Sequence, residues 1–292
     1  MSIASVDTKF VSAVPEPAGI AASSPFEPKP VARRRRSLRL GKPIRYGWTF
    51  GPILLLAAWI IGSATGAIDE RSLPAPWTVV STARDLIADG RLQDNLLVSL
   101  LRVAQGFGIG VAAGVLVALV SGLSRLGEYL VDGIIQIKRA IPTLALIPLL
   151  MLYLGIGESM KVIIIAITVF IPVYINVHSY LRGIDSRFIE LADSLDLGYP
   201  GFIWHVVLPG ALPGLLLGLR FGVTGAWLAL VVVEQINATS GIGYMINLAG
   251  SYGQINVVLV GLVVYAALGF ASDAVVRLIQ KRALSWQRTF AN

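Results

Sequence analysis

The stretch ELADSLDLGYPGFIWHVVLPGALPG, Glu190 to Gly214, is a polar interruption between two apolar runs. The chain around it is mostly lipid-soluble. Of its 292 residues 55% are hydrophobic and 14% charged, against roughly a quarter charged in soluble domains. Several apolar runs approach the roughly 20 residues that cross ~30 Å of hydrocarbon. The alternating ten-residue segments of outer-membrane barrels are absent, so the spans are expected to be helices. A membrane protein keeps a long polar loop between spans when something outside the bilayer grips it.

The loop itself, about residues 182–209, reads as two short helices. Asp185 or Ser186 caps the first. Phe188, Ala192 and Leu195 share one face at offsets of zero, four and seven. Gly198-Tyr199-Pro200-Gly201 breaks that helix. Pro200 occupies the first turn of a second, with Phe202, Ile203, Val206 and Val207 as its apolar face. Leu208-Pro209-Gly210 ends it and starts the next span. The expectation is a helix–turn–helix across the inner membrane surface. Arg182 and Arg187 stand there against Asp185, Glu190, Asp193 and Asp196, an acidic character suited to a basic partner surface.

Working outward, six spans are expected, at 48–66, 95–121, 131–155, 160–181, 210–234 and 254–277. Residues 1–46 carry nine basic and three acidic residues and six of the fifteen prolines, which predicts a disordered basic cytoplasmic arm. Arg33 to Arg36 read as a topology signal rather than a nucleic-acid site, and they suit contact with anionic lipid. With the arm inside, the C-terminus is inside too, in keeping with Arg277, Lys281, Arg282 and Arg288. The segment 67–94, with five acids and three arginines, falls outside. Pro76, the helical spacing of Val79, Val80, Ala83, Leu86 and Ile87, and the stop at Gly90 predict an amphipathic helix at the outer interface. Gly106, Gly110 and Gly114, and Gly210, Gly214, Gly218 and Gly222, recur every four residues, the spacing that lets helix backbones approach in lipid. Pro142, Pro148, Pro172 and Pro213 mark kinks.

No catalytic residue is proposed. No phosphate loop of the G-x-x-x-x-G-K-[ST] type occurs, so the chain is not expected to hydrolyse ATP. With no Cys, and with His178 and His205 as its two histidines, no metal site is expected. The charges inside spans, Arg102, Arg220 and Glu234, are candidate pathway residues. Arg102 and Arg220 can attract an anion if they face the pathway. The alternative is an ion pair between helices, for example with Glu234.

The interruption resembles the cytoplasmic coupling motif of ABC importer permeases: EAA, three residues, G, nine residues, I, one residue, LP. Glu190 matches the Glu, Ala192 the second Ala, Val206 the Ile conservatively, and Leu208 and Pro209 the final pair. Leu191 replaces the first Ala, and Asp196 stands where Gly is expected, with Gly198 two residues on as an alternative turn former. Leu73-Pro74-Ala75-Pro76, Ser99-Leu100-Leu101-Arg102-Val103, Gly106-Phe107, Ile141 to Leu149, Gly155-Ile156-Gly157-Glu158, Ser240-Gly241-Ile242-Gly243-Tyr244 and Arg282 to Trp286 resemble the branch serving aliphatic sulfonates, taurine and nitrate.

That resemblance implies an all-α membrane protein with the type I ABC importer permease fold, six transmembrane helices and the coupling helix–turn–helix between spans four and five. It divides the chain into the arm 1–46, the first span and outer amphipathic segment 47–94, the ABC permease transmembrane domain 95–280 and a cytoplasmic tail 281–292. It implies a homodimer in the cytoplasmic membrane, ABC ATPase subunits that carry ATP and Mg, and an extracytoplasmic (periplasmic) solute-binding protein. No cofactor belongs to this chain itself. Glu190, Ala192, Asp196, Gly198, Leu208 and Pro209 become the ATPase-coupling residues. The expected cargo is a small organic anion such as an alkanesulfonate or taurine, with nitrate or bicarbonate as the alternative. A secondary transporter or channel without an ATPase is the rival class, and it gives no reason for the loop.

Overall fold

The structure, a computed structural model, describes residues 49–285. The expected arm 1–46 and residues 286–292 of the expected tail lie outside them. The described chain is helical throughout: α1 (Phe50–Ala64), α2 (Pro76–Ala88), α3 (Arg91–Leu123), α4 (Arg125–Ala140), a 3-10 turn (Thr143–Leu146), α5 (Ile147–Leu154), α6 (Glu158–Arg182), α7 (Ser186–Ser194), α8 (Tyr199–Phe202), a π-helical turn (Ile203–Val207), α9 (Leu208–Asn237), α10 (Ile242–Ser251) and α11 (Ile255–Ala283).

α6 is the centre, and the glycine rows explain why. A Cβ on Gly106 would meet Ile165 Cβ at 2.6 Å, on Gly110 the Ala166 carbonyl oxygen at 2.5 Å, and on Gly114 Val173 Cγ1 at 2.9 Å. The partners advance with the glycines, so α3 runs parallel to α6. On the other side Gly214 faces Asn176 and Tyr180, Gly218 faces Pro172 and Val173, and Gly222 faces Val169. Here the order reverses, so α9 is antiparallel to α6. Glycine removes the side-chain layer between backbones, which is how helices associate without a hydrophobic driving force in lipid. α6 accordingly buries Met160, Ile164, Ile165, Val169, Val173, Tyr174 and Val177 almost fully.

Among the described residues four helices, α3, α6, the unit from Tyr199 to Ile236, and α11, are long and apolar enough to cross a membrane. The expected third span, 131–155, is not one helix. α4 and the segment Thr143–Leu154 are bent by 92°. The residue before a proline is pushed out of the helical region, and Ile141, before Pro142, sits at φ −94°, ψ 118°. Lys138 Nζ donates to Thr143 Oγ1 across the break (2.6 Å). Since α3 and α6 run parallel, residues 124–157 carry the chain back from one end of the bundle to the other. The bent pair is therefore the return path. The expected first span is α1, whose 15 residues extend ~22 Å, short of the hydrocarbon core.

α2 lies across one end, with Val79, Thr82 and Leu86 buried and Asn256 Nδ2 donating to Thr82 Oγ1 (3.0 Å). Gly90, in the left-handed region at φ +76°, separates it from α3. α11 continues through Ala283, three residues past the expected boundary at 280.

Candidate functional site

The chain places its expected functional residues in three locations: one at each end of the bundle and one partway along α9 and α11.

At the end holding the C-terminus of α6 and the N-terminus of α9, the polar interruption folds first into α7. Asp185 caps it, its carboxylate accepting from the Arg187 amide (3.0 Å). Ala192 is buried, whereas Glu190, Asp193, Phe188 and Leu195 are exposed. The helix closes in a Schellman turn: the Leu197 amide donates to the Ala192 carbonyl (3.0 Å) and the Asp196 amide to the Asp193 carbonyl (3.1 Å). That motif needs a left-handed residue at its corner. Asp196 supplies it at φ +52°, the sole non-glycine with positive φ among the described residues. Where the motif has glycine, Asp196 thus takes the left-handed conformation that glycine favours, and Asp is one of the side-chain types that tolerates it. Gly198, the alternative turn former, lies instead at φ −59° and caps α8.

The second half of the loop corrects an expectation. Leu208-Pro209-Gly210 does not end a helix. α8, the π turn and α9 form one helical unit of 38 residues, Tyr199–Ile236. Proline removes a donor and crowds the carbonyl four residues back, here that of His205. The helix widens just before Pro209: the Leu208 amide reaches the Ile203 carbonyl, five residues back. A single-turn π segment of this kind accommodates a proline without breaking the helix. A hollow of about 420 Å³ remains beside it, lined by Tyr180, Ile184, Phe188, His205, Pro209 and Pro213 among others.

At the opposite end, Arg102, Glu158 and Glu234 meet. All five guanidinium donors of Arg102 are used. Nε and Nη2 bind the two carboxylate oxygens of Glu158 (2.6 Å each), and Nη1 donates to Glu234 Oε1 (2.7 Å) and the Ser240 carbonyl (2.7 Å). Nη2 also donates to Ser240 Oγ (3.3 Å). Glu234, fully buried, accepts further from Ser99 Oγ (2.8 Å), Tyr265 Oη (2.9 Å) and the Gly243 amide (2.8 Å). Lys161, also buried, donates to Glu158 (2.8 Å). The amides of Gly241 and Ile242 reach Asn95 Oδ1 (2.8 Å) and Ser99 Oγ (2.9 Å). Gly241, at φ +111°, and Gly243, where a Cβ would stand 2.6 Å from that of Glu234, are required by this packing. Three separate motifs of the sequence, Ser99 to Val103, Gly155 to Glu158 and Ser240 to Tyr244, thus converge on one ion network, buried except at Glu158, whose side chain is 59% exposed. Two carboxylates there balance two cations, in the hydrogen-bonded arrangement that makes buried charge tolerable. The sequence had flagged Arg102 and Glu234. Ser99, Glu158, Lys161 and Tyr265 were missed as partners, although a charge seven residues into an apolar run demands some.

Arg220 belongs to neither end. It is half-exposed on α9, and its Nε donates to Asp273 Oδ1 on α11 (3.1 Å). Arg277 Nη2 shares the same carboxylate at Oδ2 (3.3 Å).

Comparison with known proteins follows the same lines. Residues 110–285 match the family model described as the binding-protein-dependent transport system inner membrane component. A protein of Escherichia coli (strain K12) named as an aliphatic sulfonates transport permease, SsuC, is 42% identical over 82% of this chain and 92% of its own. Its namesake in Bacillus subtilis (strain 168) is 37% identical over 84% and 90%. The taurine transport system permease protein TauC of E. coli is 33% identical over 80% and 86%.

Proposed function

Because the chain belongs to the family of binding-protein-dependent transport system inner membrane components, it is a multi-pass permease subunit of an ATP-driven ABC importer, and we propose that its cargo is a small organic anion of the alkanesulfonate or taurine class. The chain moves cargo and does not hydrolyse ATP; that step belongs to a separate ATPase subunit, which on this reading binds the ATP and Mg.

In our reading two copies pair about a central pathway in the type I permease arrangement, with α1 and the bent α4–α5 pair counted as the first and third of six spans. The loop end faces the cytoplasm, as do both termini. The Arg102 end faces outward and receives cargo from an extracytoplasmic solute-binding protein. Arg102 and Glu234 hold that end together, while Arg220 faces the pathway. The segment 185–198 seats in the ATPase, and the movement of the ATPases rocks the two permeases between inward- and outward-facing states.

One observation carries the coupling role. α7 anchors itself through buried Ala192 and leaves Glu190 and Asp193 outward, and its turn leads straight into the helix that spans the bundle. Leu208 and Pro209 lie within that helix and fix the loop to it. The test is Glu190→Arg with the ATPase co-expressed. The expected result is a folded, inserted protein with lost uptake and unstimulated ATP hydrolysis; normal uptake would refute the role of Glu190. Uptake of labelled ethanesulfonate, taurine and nitrate by cells with and without the gene tests the cargo class, and a response to nitrate alone would overturn it.

A further inference from the structure

The charges of α9 and α11 do not balance. Arg220 and Arg277 converge on Asp273, and among the described residues no other carboxylate joins them. The Arg102 network offers the contrast, since there every guanidinium donor is taken. Each guanidinium carries five N–H donors in a planar fork; Asp273 accepts one from Arg220 and pairs with Arg277 across 3.3 Å. Arg220 and Arg277 remain 46% and 43% exposed. The site also lies within apolar helices. Arg220 is ~18 Å along α9 from Leu208, and Asp273 ~15 Å along α11 from Ala283. Ionisable groups at such depth face protein or a water-filled cavity rather than lipid. Beside them the Phe270 ring, itself exposed, lies 5.8 Å from the Arg277 guanidinium.

We propose that Arg220 and Arg277 form a binding site for a tetrahedral oxyanion carrying a short apolar tail, with Asp273 as the internal carboxylate that the ligand competes against and Phe270 as the surface for the tail. The inference rests on the importer reading and adds the residues that hold cargo within the span. Planar guanidinium forks match two oxygens of a sulfonate or phosphate head at once. A net charge of +1 among the three side chains becomes neutral when one monoanion enters. Asp273 keeps the two arginines apart and paired while the site is empty. When an anion enters, the carboxylate repels it and weakens its hold, which suits a site that must release what it binds.

The same head-group chemistry occurs in a transported sulfonate and in a phospholipid, and the experiment separates them. The full chain is placed in phosphatidylcholine nanodiscs, and binding of labelled ethanesulfonate is measured by scintillation proximity, with thermal unfolding as a control for folding. Arg220→Gln and Arg277→Gln should each weaken binding about ten- to hundredfold, the loss of a charge-assisted hydrogen-bonded pair. Asp273→Asn should strengthen it several-fold. That opposite sign is the decisive outcome. If Asp273 merely clamps α9 to α11, its variant weakens binding as the arginine variants do, and the site is overturned. Nanodiscs containing phosphatidylglycerol form the second arm. Displacement of ethanesulfonate there, with lipid retained by the wild type and lost in Arg277→Gln, assigns the site to a lipid head group. Binding unaffected by the lipid assigns it to cargo. No ethanesulfonate binding and no retained lipid overturns the proposal, while the cargo-class reading stands or falls separately on the uptake of labelled ethanesulfonate, taurine and nitrate by cells with and without the gene.

Discussion

The two ends of the bundle handle charge in opposite ways. At one, Arg102, Lys161 and Glu234 are buried; Arg102 and Glu234 find partners on other elements, and Lys161 pairs with Glu158 on its own helix. At the other, Glu190, Asp193 and Asp196 stand exposed, and the loop's backbone is satisfied locally by a cap and a Schellman turn. A buried charge network is intolerant of change and therefore fixes relative positions of helices. An exposed charged segment with a self-sufficient backbone tolerates substitution in isolation, so its side chains are free to be chosen for a partner. Stability experiments should thus find one end sensitive, and transport experiments the other.

The sharpest break in this contrast comes at Arg102. Arg102→Ala strands buried Glu234 without its cation and should cost about 3–5 kcal/mol in detergent unfolding. The double variant Arg102→Ala with Glu234→Ala should cost less than the sum of the single changes, because the two act as a pair. A wild-type unfolding midpoint for Arg102→Ala would erase the distinction between the ends. Next in size is the glycine row between them. Gly110→Ala forces a methyl group against the Ala166 carbonyl and should cost about 1–3 kcal/mol, whereas Gly108→Ala, with open space around it, should be neutral or stabilise by up to about 1 kcal/mol. Equal effects at the two positions would show that α3 does not pack on α6 as described. In the loop, Asp196→Gly relieves a left-handed L-residue and should slow amide exchange of residues 186–197 by about 1 kcal/mol equivalent; faster exchange would argue for a side-chain role of Asp196 instead. The smallest effect belongs to Glu190→Arg, which should leave the unfolding midpoint within about 0.5 kcal/mol of wild type, even though uptake fails.

How much of this was legible in advance differs by length scale. Local signals served well. Asp185 as a cap, Gly90 as a stop and the glycine rows as contact faces all follow from rules that act within a few residues. The break in the expected third span was half legible: Pro142 was marked as a kink, but hydropathy alone ran the segment as one span through a 92° bend. The continuity of α8 with α9 was hidden for the opposite reason. Gly-Tyr-Pro-Gly and Leu-Pro-Gly look like breakers, and a π turn, which no local composition announces, absorbs the second. The ion network was least legible. Arg102 and Glu234 are 132 residues apart, and only the parallel pairing of α3 with α6 brings Glu158 and Lys161 to them. Single charges in apolar runs show that partners must exist, and the fold decides which.

The π turn at 203–207 has a mechanical consequence. A loop joined to its span by a flexible glycine hinge would absorb small displacements. The second half of this one, from Tyr199 on, belongs to a continuous helical rod: 38 residues extend ~57 Å. Turned as one body by about 10° around its middle, it moves each tip by ~5 Å, in opposite directions. Displacement at Tyr199 is therefore reported, with its sign reversed, at Glu234. The proline that seemed to end the helix leaves the rod whole.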